Sequence, residues 1–284
     1  VFYVFLSFPY GGGLVFTSEI LENEIKRLVK KYPFAYTEVI GTSRLGKPLY
    51  ALCVGHGPKA IGLNAAHHAN EWITSALLMR FVEEYCAFCE KDHEANGLEQ
   101  ITLYAIPMVN PDGVDWVING IKPGEWKANA CGVDLNSNYP AEWDTARVNK
   151  FDQGFTAPGP KGFVGWAPLC EPESAAIAAY TMLRDFAVTA SLHTQGEEIY
   201  WRYRDYDPKG AKELAAEMQR VSGYQCVDVP DESSHAGYRD WFIQEFNRPG
   251  FTIECGLGEN PLPFEDLEEI YKKTAPLLWV PFKR

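Results

Sequence analysis

Apolar positions along the chain switch repeatedly between a helical and an extended period. From Ser18, the residues Ile20, Leu21, Ile25, Leu28 and Val29 recur every three to four positions, which predicts a helix capped by Thr17 or Ser18 and ended near Tyr32-Pro33. Two short strands follow at Thr37–Gly41 and Leu49–Val54, and the Gly and Pro of the intervening Ser43-Arg44-Leu45-Gly46-Lys47-Pro48 make a hairpin the simple reading. Further strand-like runs lie at Ala60–Ala66, Ile101–Pro107, Val188–Leu192 and Gly250–Glu254, with helical patterns at about Thr74–Cys89, Pro172–Phe186, Pro208–Val221, Tyr238–Phe246 and Phe264–Leu278. Strands interleaved with helices predict an α/β layered fold around a mainly parallel or mixed sheet. Asn110–Pro168 departs from the pattern, being rich in Gly, Pro, Asn and Trp with little periodicity, and loops of that length in a compact domain usually build a site.

Polar residues bunch where three of the apolar strands end: His67, His68, Asn70 and Glu71 after AIGLNAA, His193-Thr194-Gln195 after VTASL, and Glu254 after GFTI. Open α/β sheets bind ligands at the carboxyl ends of their strands, so the three clusters can converge. The HxxE spacing of His68 and Glu71 puts an imidazole and a carboxylate on one side of a turn. With His193 they make two histidines and one carboxylate, a set typical of a catalytic zinc with an open fourth position for water, whose pKa the metal lowers to about 7. Glu254 supplies the base that such a water needs.

Composition narrows the classes. The chain has 284 residues, 46% of them hydrophobic, enough for a large core. Its formal net charge of −12 disfavours nucleic acid or an anionic membrane as partner, because both require a clustered basic face. The longest N-terminal apolar run, Val1–Pro9, is too short to span a bilayer and lacks the flanks of an intact signal peptide. Seven cysteines cannot all pair, and most lie in apolar runs; reduced thiols and a cytoplasmic location are expected, with secretion the alternative if a signal peptide has been removed. Cys86 and Cys89 form a CxxC, but within one amphipathic helical pattern and without a second pair nearby.

The segments VIGTSRLGKPLYAL, HANEW, MVNPDGVDW, GVDLNSNYP, SLHTQG and GFTIECG resemble the zinc carboxypeptidase family, M14, over nearly the whole chain from about Phe16. The resemblance implies one catalytic domain over residues 1–284 with an N-terminal extension at 1–15, and a mixed eight-stranded sheet flanked by helices. It puts one zinc on His68, Glu71 and His193, the catalytic glutamate at Glu254, and a substrate-binding asparagine at Asn136.

Departures from the family pattern bear on substrate. The family reads a free C-terminal carboxylate with an Asn-Arg pair, and a bidentate Arg is the natural clamp for that group; here the pair is Asn136-Ser137. Asn70 stands where relatives often have Arg, and Lys127 where they have an arginine that steadies the oxyanion. With HTQGEEIYW, SHAGYRDWF and FTIECGLGENPLP, this pattern is similar to the γ-D-glutamyl-meso-diaminopimelate peptidase I branch, which implies cleavage of bacterial cell-wall peptides between γ-D-glutamate and the diamino acid, meso-diaminopimelate or L-lysine. Diaminopimelate ends in an ammonium and a carboxylate, so its pocket requires an anion and a cation. Arg239 aligns with the family's position for side-chain preference and can take the carboxylate, Glu232 or another acid the amine, and Arg202 and Arg204 are rival clamps.

His67 reads as a buried supporting residue, since neighbours on an extended segment point apart, and His235 as a loop hydrogen bond or a substrate contact. His56 and His93 read as surface residues. Cys131 precedes GVDLN where bacterial relatives often carry Arg; if that Arg is an oxyanion donor, its loss lowers activity by about 10²–10³. A catalytically weak protein that binds wall peptides and a murein-peptide carboxypeptidase are therefore the alternative readings.

Overall fold

The computed structural model describes residues 15–91, 97–230 and 234–283; Glu232 and His93 lie outside these. In chain order the elements are α1 (Ser18–Lys31), β1 (Ala35–Thr42), β2 (Pro48–Val54), β3 (Lys59–Ala65), α2 (Ile73–Lys91), α3 (Gly97–Gln100), β4 (Ile101–Ile106), α4 (Pro111–Ile118), α5 (Trp143–Asp152), α6 (Pro172–Arg184), β5 (Val188–His193), β6 (Glu198–Tyr200), α7 (Ala211–Ser222), β7 (Gln225–Cys226), α8 (Tyr238–Phe246), β8 (Gly250–Glu254) and α9 (Leu267–Leu278). Thr17 caps α1 by accepting from the Ile20 amide, and β1 and β2 form the expected antiparallel hairpin. Among the described residues no helix is long and apolar enough to cross a membrane.

The eight strands form one mixed sheet in the order β1-β2-β4-β3-β5-β8-β6-β7. Its centre, β4-β3-β5-β8, is parallel, and β2 and β6 join it antiparallel at either side. Central strands are covered on both faces, and β3 and β5 are buried at every position but Lys59. One core packs α1, α2, α7 and α9 on one face through Leu28, Leu77, Met218 and Ile270. A second core covers the other face with α6 and α8 through Ile177, Tyr238, Trp241 and Phe242. The second face depends on Gly62, where a Cβ would lie 2.4 Å from the Phe186 ring.

Several helical or extended segments are not apparent in the apolar pattern. The strands β6 and β7 have three and two residues, too few to show a period. Asn110–Pro168, which reads as loop, contains α4 and α5. Only Trp143 and Ala146 of α5 are buried, so it shows no apolar stripe. The start of α4 does carry a local signal: the Asn110 side chain accepts from the Gly113 amide at 3.1 Å, and Pro111 occupies the first helical position.

Candidate metal centre and active site

The strands β3, β5 and β8 are adjacent and parallel, so their carboxyl ends lie side by side. Register pairs His193 directly with Glu254, and Ala65, the last residue of β3, with Leu192. After β3 the chain turns through Ala66, at φ 51°, into a 3-10 turn over Ala69–Glu71 that carries Glu71, with His68 capping it in extended conformation. Three-residue spacing eclipses side chains on such a turn, which is why the HxxE pair meets.

The turn is held from below. The Ala69 amide donates to the Lys127 carbonyl at 3.0 Å, and the Asn110 amide group donates to the carbonyls of His67 and Ala128 at 3.2 and 3.1 Å. Packing of α4 against the turn requires Gly113, since a Cβ there would lie 2.8 Å from that of Ala69. Thr74 closes the other side, donating to the Glu71 carbonyl at 2.7 Å and accepting from the Ala66 amide at 3.0 Å.

On this frame His68 Nδ1 lies 2.8 Å from Glu71 Oε1, and His193 Nδ1 lies 2.8 Å from Glu71 Oε2. One ligand atom from each residue falls within 4.8 Å of the others, so the three can hold one metal ion. The donor chemistry fits zinc. Asp134 Oδ1 sits 3.1 Å from His68 Nε2, the arrangement that keeps a ligating imidazole in the tautomer with its other nitrogen bare. The field of the site also favours a cation: burial opposes charge on His68, yet Glu71 and then Asp134 outweigh it and lift the imidazole to about 9. Glu71 stays well below the usual carboxylate range despite burial, because His68, Lys127 and His193 surround it. Asp134 is likewise held low against burial by His68 and by the Gly162 amide.

Glu254 is partly exposed at the end of β8. Burial, then the nearby negative charge of Glu71, pushes its carboxyl up to about 8, with Lys127 and His68 opposing. Lys127 donates to Glu71 Oε1 at 3.0 Å, and that carboxylate raises the ammonium pKa over the opposing effect of burial. His67 is buried and neutral, stacked on His193 at 5.7 Å and 2.9 Å from the Tyr139 hydroxyl; desolvation and the two neighbouring histidines depress its pKa. It packs against the ring of His193 and is not one of the three residues whose ligand atoms converge.

The remaining sequence candidates separate into two groups. Asn70 is buried in the ligand turn with its Oδ1 unpartnered among the described residues, and Ser137 is buried in the 3-10 turn Leu135–Ser137. Asn136 ties that turn to α8 by accepting from the Tyr238 amide at 3.1 Å, and among the described residues its amide group donates to no protein acceptor. Arg239 is also buried, but its guanidinium is paired with the neighbouring Asp240 through Nε and Nη2. Arg202 is exposed and pairs with Asp228 at 3.5 Å, while Arg204 pairs with Glu142 at 3.6 Å; neither ion pair involves the triad or Glu254. His235 accepts or donates at 3.0 Å with the Tyr203 hydroxyl, a loop hydrogen bond. The exposed Cys131 anchors its amide on Asn129 at 3.0 Å.

The sequence pattern assigns no role to Asp134 or Asn110, although both lie in segments that carry the family resemblance. The available signal for Asp134 is general: a ligating histidine requires an acceptor for its second nitrogen, and an acid between the apolar Val133 and Leu135 is a natural candidate.

The chain is 39% identical over 279 residues to γ-D-glutamyl-L-diamino acid endopeptidase 1 of Lysinibacillus sphaericus, covering 90% of this chain and 69% of that protein. Among solved structures, thrombin-activatable fibrinolysis inhibitor superposes with a TM-score of 0.77 at 22% identity, over 94% of this chain and 73% of that one. Murein-tripeptide amidase MpaA from Escherichia coli O157 superposes with a TM-score of 0.57 at 22% identity, over 85% and 90%; both likenesses concern the fold. The zinc carboxypeptidase model matches residues 21–276, and together with the His-Glu-His triad and the sheet that presents it, this makes the chain a member of the M14 zinc carboxypeptidase family of metallopeptidases.

Proposed function

We propose that the protein hydrolyses the amide bond between γ-D-glutamate and the diamino acid, meso-diaminopimelate or L-lysine, of bacterial cell-wall peptides. The observation that carries the reading is the register pairing of His193 with Glu254, beside the turn that brings His68 and Glu71 to the same strand ends. The named relative at 39% identity, whose own activity is on γ-D-glutamyl-L-diamino acid bonds, supports the substrate class.

His68 Nδ1, His193 Nδ1 and Glu71 would hold one zinc, which when bound supplies a Lewis acid for the scissile carbonyl and an acidified water. Glu254 takes the proton of the attacking water and delivers it to the leaving amine of the diamino acid. Its desolvated setting suits a carboxylate that must carry a proton between two steps. Lys127 keeps one donor on Glu71 and has two more for the developing oxyanion. Asn136 offers its free amide donors to the substrate backbone, while Asn70 and Ser137, lacking guanidinium groups, leave no bidentate clamp for a free C-terminal carboxylate at those positions.

Incubating the zinc-loaded protein with L-Ala-γ-D-Glu-meso-diaminopimelate, and identifying products by mass, tests reaction and bond together. Release of L-Ala-D-Glu and diaminopimelate is expected. Release only of C-terminal residues from longer stems would make it a carboxypeptidase, and zinc binding without hydrolysis would make it a binder.

A further inference from the structure

We propose that Glu198 recognises the terminal ammonium of the diamino acid on the leaving side of the scissile bond, an assignment that rests on the substrate reading above. The geometry comes from the short strand β6, which runs antiparallel to β8 with Glu198 opposite Glu254 and Tyr200 opposite Thr252. Side chains alternate along strands, and Ile199 and Ile253 belong to the core packed by α7 and α9. Glu198, Tyr200, Thr252 and Glu254 therefore share the opposite face, the one that α8 covers.

A carboxylate directly across from the catalytic carboxylate is costly for the sheet, since like charges at opposed positions repel. Among the described residues, Glu198 accepts a hydrogen bond from the Tyr200 hydroxyl on Oε2 at 2.5 Å, and it has no ion pair with a lysine or arginine. The adjacent Glu197, by contrast, is neutralised by Lys273 at 2.6 Å. Over the Tyr200 ring, the Arg239 guanidinium lies 5.7 Å from the centroid, and its charge is already matched by Asp240. The strip next to Glu254 thus carries a compensated cation and an uncompensated anion, a balance that calls for a positive ligand group.

Lysine and diaminopimelate share a terminal ammonium and differ by one carboxylate. An acid that reads the ammonium accounts for acceptance of either diamino acid, and the remaining donors of Arg239 are left for the carboxylate that only diaminopimelate has. The alternative is that Glu198 acts solely by raising the proton affinity of Glu254, to which its negative charge contributes. That effect would be the same for every substrate.

The test compares kcat/KM for L-Ala-γ-D-Glu-L-Lys and L-Ala-γ-D-Glu-L-norleucine, which differ by the ammonium, in the zinc-loaded protein and in Glu198→Gln. Glutamine retains size and an acceptor for Tyr200. The native protein should prefer lysine, and Glu198→Gln should lower the lysine-to-norleucine ratio by about ten- to a hundredfold, the loss expected for a charged hydrogen bond. Any change in Glu254 affects both peptides and cancels in the ratio. An unchanged ratio overturns the assignment, and so does a native protein that cuts both peptides equally, a measurement that needs no variant. In those cases the γ-D-glutamyl reading still stands. If the native protein cuts neither peptide, acceptance of lysine has failed and this assignment falls with it, while cleavage of L-Ala-γ-D-Glu-meso-diaminopimelate decides the γ-D-glutamyl reading separately.

Discussion

Replacing Asp134 with Asn should weaken zinc binding by about ten- to a hundredfold, or about 1.4–2.7 kcal/mol. The carboxylate is used on both sides: Oδ1 faces His68 Nε2 at 3.1 Å, and Oδ2 accepts from the Gly162 amide at 3.1 Å. With Asp134 as acceptor, His68 keeps a proton on Nε2, and Nδ1, which faces Glu71, is the nitrogen that gives up its proton to a metal ion. Asparagine has one oxygen and one amino group. If its oxygen faces His68, the amino group confronts the Gly162 N–H and two donors oppose each other. If it flips, the amino group faces Nε2 and drives the proton onto Nδ1, and a protonated nitrogen cannot ligate a metal. Either orientation forfeits about one charge-assisted hydrogen bond, about 1.5–3 kcal/mol, in line with the range above. Titrating chelator-stripped protein with zinc against a chromophoric competitor measures the dissociation constant, and the thermal midpoint of the stripped protein controls for stability. A zinc affinity within twofold of native, accompanied by a lower midpoint, would refute the reasoning and leave Asp134 as a loop anchor.

Three further outcomes are expected. Glu254→Gln should keep zinc at one equivalent by metal analysis while kcat falls by about 10²–10⁴; an active variant would move the base elsewhere. Arg239→Ala leaves Asp240 buried without its cation, so the thermal midpoint should fall by the equivalent of about 3 kcal/mol, and kcat/KM should drop more for diaminopimelate than for lysine peptides. Equal losses on the two peptides would restrict Arg239 to support of α8. Glu83 is hydrogen-bonded by Arg27 and Lys31, which outweigh burial and hold its pKa below the ordinary 4.5. With the folded value depressed, its stabilisation is present above pH 4.5 and is lost as pH falls from there through the folded value. Glu83→Gln should therefore cost about 1.5 kcal/mol at pH 7 and flatten the decline of the thermal midpoint in that acid window.

Much of the scaffold is legible in the sequence because its signals are local. The runs behind β3, β5 and β8 are apolar because both faces of the sheet are covered, and each ends abruptly in polar residues that would be costly to bury unless they serve a site. That contrast is enough to mark His68, Glu71, His193 and Glu254 from residue order alone. The helix α4 escapes the apolar pattern although Asn110 and Pro111 announce it, since the Gly, Pro and Asn content of its surroundings reads as loop. Arg239 reads as a free cation because consecutive helical residues point apart, yet its long side chain turns back onto Asp240.

The amino-acid sequence by itself determined the alternation of strands and helices, the four residues at the strand ends, and the absence of arginine at Asn70 and Ser137. Each of these is set by residue type and spacing within a few positions. Only the tertiary structure decided that Asp134 meets His68 from 66 positions away, that Arg202 pairs with Asp228, and that Glu198 lies opposite Glu254. Those pairings depend on strand register and loop closure, which the summed packing of the whole sheet and both its cores determines and no single segment encodes.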